Sequence, residues 1–174
     1  MRKTLFLLLS VASFGISSNI ELPVAFKANF IQQVKNPKGK VIKYRGNIVF
    51  NSPSETKWVY KSPTKKEVCS SGKQLVVIDH DLEQVSYYSI NKGFNLSKVL
   101  ASARHYKNNI YTTKFKGKLY TIVLDKKGKI QQIAYKDNLD NTVNIIFTRM
   151  KYLNKLLPGY KFVCARPKNY DTIH

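Results

Sequence analysis

From Lys43 onward the chain alternates between apolar and polar positions. The exchange runs residue by residue through 43–51, 56–61, 67–69, 75–78 and 85–90, and after an interruption through 110–115, 119–124, 130–136, 143–150 and 160–165. A period of two turns one face of each segment toward a core and the other toward solvent, which predicts strands. Short polar runs separate them: Asn51-Ser52-Pro53-Ser54, Ser62-Pro63, Ser71-Gly72-Lys73, Lys116-Gly117, Asp125-Lys126-Lys127-Gly128 and Asp137-Asn138-Leu139-Asp140-Asn141. These are turn residues, and loops so short join neighbours into an antiparallel meander. Ten or so strands in one meander predict a sheet that curls on itself, because so wide a sheet twists, folds or closes.

Two stretches depart from this period. In 23–34, Phe26, Phe30 and Val34 stand at helical spacing with Ile31 beside them; later, Leu96, Val99, Leu100 and Ala103 stand at i, i+3, i+4 and i+7 after Asn95, a residue suited to an N-cap. Both predict short amphipathic helices. The architecture expected is mainly β: an incomplete, half-open antiparallel β-barrel with two or more short helices lying across its open face as a lid. Periodicity alone leaves a second outcome open, in which the helices complete a solid core.

The first residues belong to a different pattern. Arg2 and Lys3 precede an apolar run over 5–12 that continues loosely to Ile16, with Gly15 and Ser17 at the small-residue spacing a signal peptidase prefers. The run is short of the roughly 20 apolar residues needed to span a bilayer. The expectation is a cleaved signal peptide over 1–17 and a single domain over 18–174, outside the cytoplasm in the periplasm. No cysteine lies near the cleavage point, so a lipid-anchored product is not expected.

Charge and cysteine content refine this picture. The formal net charge is +20. An extreme basic balance suits an anionic partner, but export removes nucleic acid, and the lysines are scattered singly rather than gathered on a patch or basic helix. A solvated basic exterior is the plainer reading, with attraction to anionic headgroups its natural role. Cys69 and Cys164 are the two cysteines of the chain. In an oxidising compartment they allow one bridge, yet two buried thiols fit the sequence equally well.

Catalytic constellations are not found. The three histidines, His80, His105 and His174, have no metal-ligand spacing. Asp79-His80-Asp81 follows a strand directly, where Asp-rich turns are ordinary. Ser70-Ser71-Gly72 lacks the glycines and the strand-to-helix context of a nucleophile elbow. No enzyme activity, cofactor or metal is expected.

One ordered series of motifs is more specific. Phe30-Ile31-Gln32-Gln33-Val34 is followed by Tyr44-Arg45-Gly46-Asn47-Ile48-Val49-Phe50, Ser52-Pro53, Lys57-Trp58-Val59-Tyr60, Ser62-Pro63, Val68-Cys69-Ser70-Ser71-Gly72-Lys73 and Asp79-His80-Asp81-Leu82-Glu83-Gln84-Val85. Over most of the mature chain this resembles the LolA family of periplasmic lipoprotein carriers. The resemblance implies an incomplete β-barrel with lid helices. It also implies an apolar cavity that binds the acyl chains of lipoproteins released by an inner-membrane ABC transporter and delivers them to an outer-membrane receptor or to the outer membrane itself. A monomer is expected. Other readings are a periplasmic binding module for another amphiphile and a basic surface adhesin.

On this reading Phe30, Val34, Ile48, Phe50, Trp58, Tyr60, Phe94, Leu96, Val99 and Leu100 line the cavity and lid. Where many relatives carry an arginine that holds the lid closed, this chain has Ser52, and Arg45 on the neighbouring strand is the candidate replacement latch. Thr56 stands where relatives often have an apolar residue. Near the C-terminus, Cys164 and Asn169 replace a phenylalanine and a glycine of the family pattern.

Overall fold

Phe26, Phe30 and Val34 are four residues apart, a spacing that a helix and a strand both satisfy. In the computed structural model, which describes residues 19–71, 74–89 and 95–173, the segment is a strand. β1 spans Ala25–Lys35, and the helix expected over 23–34 is corrected. Ala28 and Gln32 fill the intervening places, so Phe26, Ala28, Phe30, Gln32 and Val34 share one face. Pairing on both sides decides the matter. β2 (Val41–Asn51) and β11 (Thr142–Leu153) flank β1, setting Phe30 opposite Gly46 on one side and Phe147 on the other. Such tertiary pairing outweighs local propensity.

From β1 the sheet grows outward in both directions. One flank adds β3 (Glu55–Ser62), β4 (Lys66–Ser71), β5 (Gln74–Asp79) and β6 (Gln84–Ser89); the other adds β10 (Ile130–Lys136), β9 (Lys118–Leu124), β8 (Ile110–Phe115) and β7 (Arg104–Lys107). Short turns make every one of these pairs antiparallel. The last strand, β12 (Asp171–Ile173), joins β6 in parallel at the sheet edge. The result is one twelve-stranded open sheet with β12 and β7 at its ends. It is strongly curved: Tyr60 on β3 and Tyr135 on β10 stand four strands apart and face the same cavity. The expected half-open barrel is therefore what the chain forms.

The helical complement is smaller than expected. Among the described residues there is one α-helix, α1 (Leu96–Ala101), at the place the second apolar stripe predicted. The strand expected over 160–165 is instead a 3-10 turn, Gly159–Phe162, followed by irregular chain. Pro158 and Pro167 bracket this stretch and withhold backbone donors from any ladder. The signal peptide expected over 1–17 lies outside the described residues, as do Phe94 and the turn residues Gly72 and Lys73.

Each face of the sheet has its own core. On the concave side Phe26, Phe30, Phe50, Trp58, Ile122, Ile133 and Phe147 pack with Leu96, Val99 and Leu100 of α1. On the convex side the chain after β11 folds back over β4 to β6, where Phe162 is buried along with Cys69, Ile78 and Val85. Asn51 anchors that return: its amide donates to the Leu157 carbonyl at 2.9 Å, and its side-chain oxygen accepts from the Leu157 N–H at 2.9 Å.

Gly46 is required by close packing rather than by backbone conformation. A Cβ there would meet the Val59 carbonyl oxygen and lie 2.8 and 2.9 Å from two carbons of the Phe30 ring. Gly46→Ala should destabilise the fold by about 3 kcal/mol, because neither the ladder nor the ring has room to shift. The check is a lowered urea midpoint with an unchanged m value.

Candidate functional site: the apolar concave face

Strand alternation and the stripe of α1 together build the site. Nine of the ten residues expected to line it fall in one cluster: Phe30, Ile48, Phe50, Trp58, Leu96, Val99 and Leu100 are buried, and Val34 and Tyr60 pack partly buried against them. Phe94 lies outside the described residues. The aromatic members meet edge to face, Phe30 against Trp58 at 5.1 Å and against Tyr60 at 5.0 Å between ring centres. Such pairs fix ring orientation as well as burying area.

α1 packs on this face beside β8 as a short, capped element. Asn95 Oδ1 accepts from the Lys98 N–H at 2.9 Å, and the Ser102 hydroxyl donates to the Lys98 carbonyl at 2.7 Å. The Ser102 hydroxyl also meets Thr113 Oγ1 of β8 at 2.9 Å. Buried beneath the helix, the Ser97 hydroxyl has no partner among the described residues.

Close to this cluster the concave face keeps a cavity of about 160 Å³, lined by Trp58, Val68, Leu75 and Ile145 together with Gln32, Thr56, Tyr60 and Tyr135. Its polar groups are few and mostly paired. Thr56 Oγ1 lies 2.7 Å from Ser70 Oγ, and Tyr60 Oη donates to Gln32 Oε1 at 2.8 Å. Burial, reinforced by the neighbouring Tyr120 and Asp137, pushes the Tyr135 phenol up to about 12. Burial raises Tyr60 as well, with Tyr135 and Tyr44 adding to it. Both are therefore neutral donors at physiological pH.

A raised tyrosine pKa contributes stability that is complete below its unfolded value near 10 and is lost as pH climbs through the folded value. Unfolding free energy should accordingly hold to about pH 10 and fall toward pH 12. Tyr135→Phe should flatten that decline, as measured by denaturant titrations across this range.

Other expected residues sit elsewhere. Arg45 is exposed and pairs with Ile31 on the face of β2 opposite to Gly46 and Ile48. It points away from α1, so the latch expected of it is corrected: strict alternation sends odd-numbered side chains of β2 outward. Ser52 lies at the turn after β2, where its N–H donates to the Val24 carbonyl at 2.9 Å. Cys69 and Cys164 are bridged, with Cα atoms 5.8 Å apart, on the convex face. Asp79-His80-Asp81 is a structural turn. Burial alone would raise the Asp79 carboxyl, but it accepts from Lys66, Asp81 and Leu82, and together these bonds hold it below the usual range. His80 Nδ1 meets the Tyr170 hydroxyl at 3.1 Å.

The other half of the site is not singled out by sequence pattern. Tyr120, Ile122, Ile133, Val143, Ile145 and Phe147 form the far wall of the concave face. Their period of two is plain; which face of β9 to β11 turns inward becomes readable only once β11 is set beside β1.

An open antiparallel half-barrel with an apolar concave face under a short helix defines the class of protein. The crystal structure of a LolA superfamily protein from Nitrosomonas europaea shares the fold, with a TM-score of 0.51 at 13% identity over 83% of this chain and 93% of that one. The family model for the outer membrane lipoprotein carrier protein LolA matches residues 24–103. The outer-membrane lipoprotein carrier protein of Wolinella succinogenes is 32% identical over 149 residues, 86% of each chain. That of Campylobacter jejuni is 30% identical over 175 residues, 99% of each. The chain belongs to the LolA family of outer-membrane lipoprotein carrier proteins.

Proposed function

We propose that the concave face takes up the acyl chains of lipoproteins leaving the inner membrane and carries them through the periplasm to the outer membrane, with no chemical step. The observation that carries this reading is the convergence of nine expected residues, from four separate elements, on one apolar surface under α1. The cavity already present, about 160 Å³, falls short of the roughly 300–1,000 Å³ of ordinary ligand sites. Loading on this reading displaces α1, whose Leu96, Val99 and Leu100 occupy the same apolar cluster, and cargo burial replaces helix burial. Leu96, Val99 and Leu100 contribute about 1.5–3 kcal/mol each when covered. Acyl chains repay about 0.8 kcal/mol per methylene, so on the order of ten methylenes offset the displaced stripe. The Ser97 hydroxyl, without a partner among the described residues, further weakens closure, since an unmet buried hydroxyl costs about 1–3 kcal/mol.

The carrier works as a monomer, receiving cargo from a lipoprotein-releasing ABC transporter and giving it to an outer-membrane receptor or to the membrane itself. The test is release. Purified protein added to inner-membrane spheroplasts should bring newly made lipoproteins into the supernatant as one-to-one complexes. Supernatants free of lipoprotein would exclude the reading.

A further inference from the structure

We propose that Gln32 recognises the ester or amide carbonyl at the head of an acyl chain, with Tyr60 as the residue that positions it; this inference rests on the carrier reading. Gln32 belongs to the inward stripe of β1, two places beyond Phe30, and lines the cavity beside Trp58 and Ile145. Its amide is oriented. Tyr60 Oη donates to Oε1 at 2.8 Å, and Tyr60 remains protonated because burial raises its pKa. That bond leaves Nε2 as the outward end, and among the described residues no acceptor engages it.

Two of the hydroxyls nearby are already committed to each other. Thr56 and Ser70 share a hydrogen bond, and Ser70 donates onward to the Ser54 carbonyl. Gln32 Nε2 is thus an oriented amide donor on a wall whose other polar groups are the hydroxyls of Thr56, Tyr60 and Tyr135. A hydrocarbon tail offers it nothing, whereas an acyl carbonyl is a matching acceptor. The walls supply affinity in proportion to area and do not distinguish one alkyl chain from another. A single oriented donor does distinguish them, because a carbonyl buried without a partner loses its bond to water. From Gln32 inward along β1, Phe30, Ala28 and Phe26 continue the same stripe, so a carbonyl held at Gln32 directs the chain along the aromatic floor.

The experiment compares two probes of equal chain length, didecanoylglycerol and its ether analogue didecylglycerol. Trp58 is the sole tryptophan and lines the cavity, so its fluorescence reads occupancy directly. The unaltered chain should bind the ester about tenfold more tightly than the ether, the worth of one satisfied carbonyl. Gln32→Leu should bring the ratio near one, and Gln32→Met, which keeps the length, should do the same if the leucine variant folds poorly. Tyr60→Phe should lower the ratio without abolishing it. Equal binding of the two probes by the unaltered chain, or an ester preference surviving in the Gln32 variants, overturns the inference and leaves the carrier reading standing. Failure of the unaltered chain to bind either probe overturns the carrier reading, and the inference with it.

Discussion

Leu100→Ala should bind an acyl probe more tightly than the unaltered chain, the reverse of what truncating a lining residue does. Leu100 is fully buried by the closed arrangement of α1 on the concave face. A Leu→Ala change in such a place costs about 2–5 kcal/mol. If α1 is displaced on loading, that loss falls on the empty state alone, and the loaded state does not share it. The difference between the states then shifts toward cargo by about 30-fold at the low end of the range. Two measurements separate the outcomes. Thermal unfolding of the empty protein should occur at a lower temperature, and the dissociation constant for a long-chain acyl probe should fall. Release to a membrane acceptor should slow in the same proportion, because affinity for cargo and ease of handover are the two sides of one equilibrium. Weaker binding by Leu100→Ala would mean that α1 stays in place and lines the loaded cavity.

The balance this variant disturbs is partly legible in the sequence. The stripe Leu96, Val99, Leu100 and Ala103 matches helical geometry alone, and Asn95 caps it as its position suggests. Phe26, Phe30 and Val34 repeat at four, a multiple of two and close to one helical turn, so their spacing is compatible with either element. The alternating residues Ala28 and Gln32 are the better guide, and they become decisive only with β2 and β11 on either side. The same limit hides β7. All four of its residues are exposed, and a strand with no buried face leaves no alternation to read. The family pattern makes Arg45 the stand-in for the arginine replaced by Ser52, whereas a one-residue offset from Gly46 puts it on the other face of the sheet. Chain direction misleads once more at 160–165. Apolar alternation there reflects a turn that buries Phe162 against the convex face, not a strand.

That convex face carries the last expected result: replacing both cysteines with alanine should lower the melting temperature by about 10–20 °C and leave acyl binding intact at low temperature. Cys69 and Cys164 are 95 residues apart in sequence. Closing so long a loop removes unfolded-state freedom worth about 4–5 kcal/mol, and each kcal/mol corresponds to roughly 2–4 °C in a chain of this length. The bridge ties the returning chain to β4 at the point where its other contacts are few. Lys57 Nζ reaches the Val163 carbonyl at 3.1 Å, the Asp171 N–H donates to the Glu83 carbonyl at 2.9 Å, and β12 adds three residues of parallel pairing to β6. Without the bridge these contacts, the Asn51–Leu157 pair, the His80–Tyr170 contact and the buried Phe162 must hold the segment, and β6 is left at risk of exposing its edge. Limited proteolysis should then cut within 154–173 before any other part of the chain. Binding should survive, because Cys69 faces away from the cavity while its neighbour Val68 lines it. A melting temperature within about 3 °C of the unaltered chain would show that the convex contacts, rather than the covalent tie, secure the C-terminal segment.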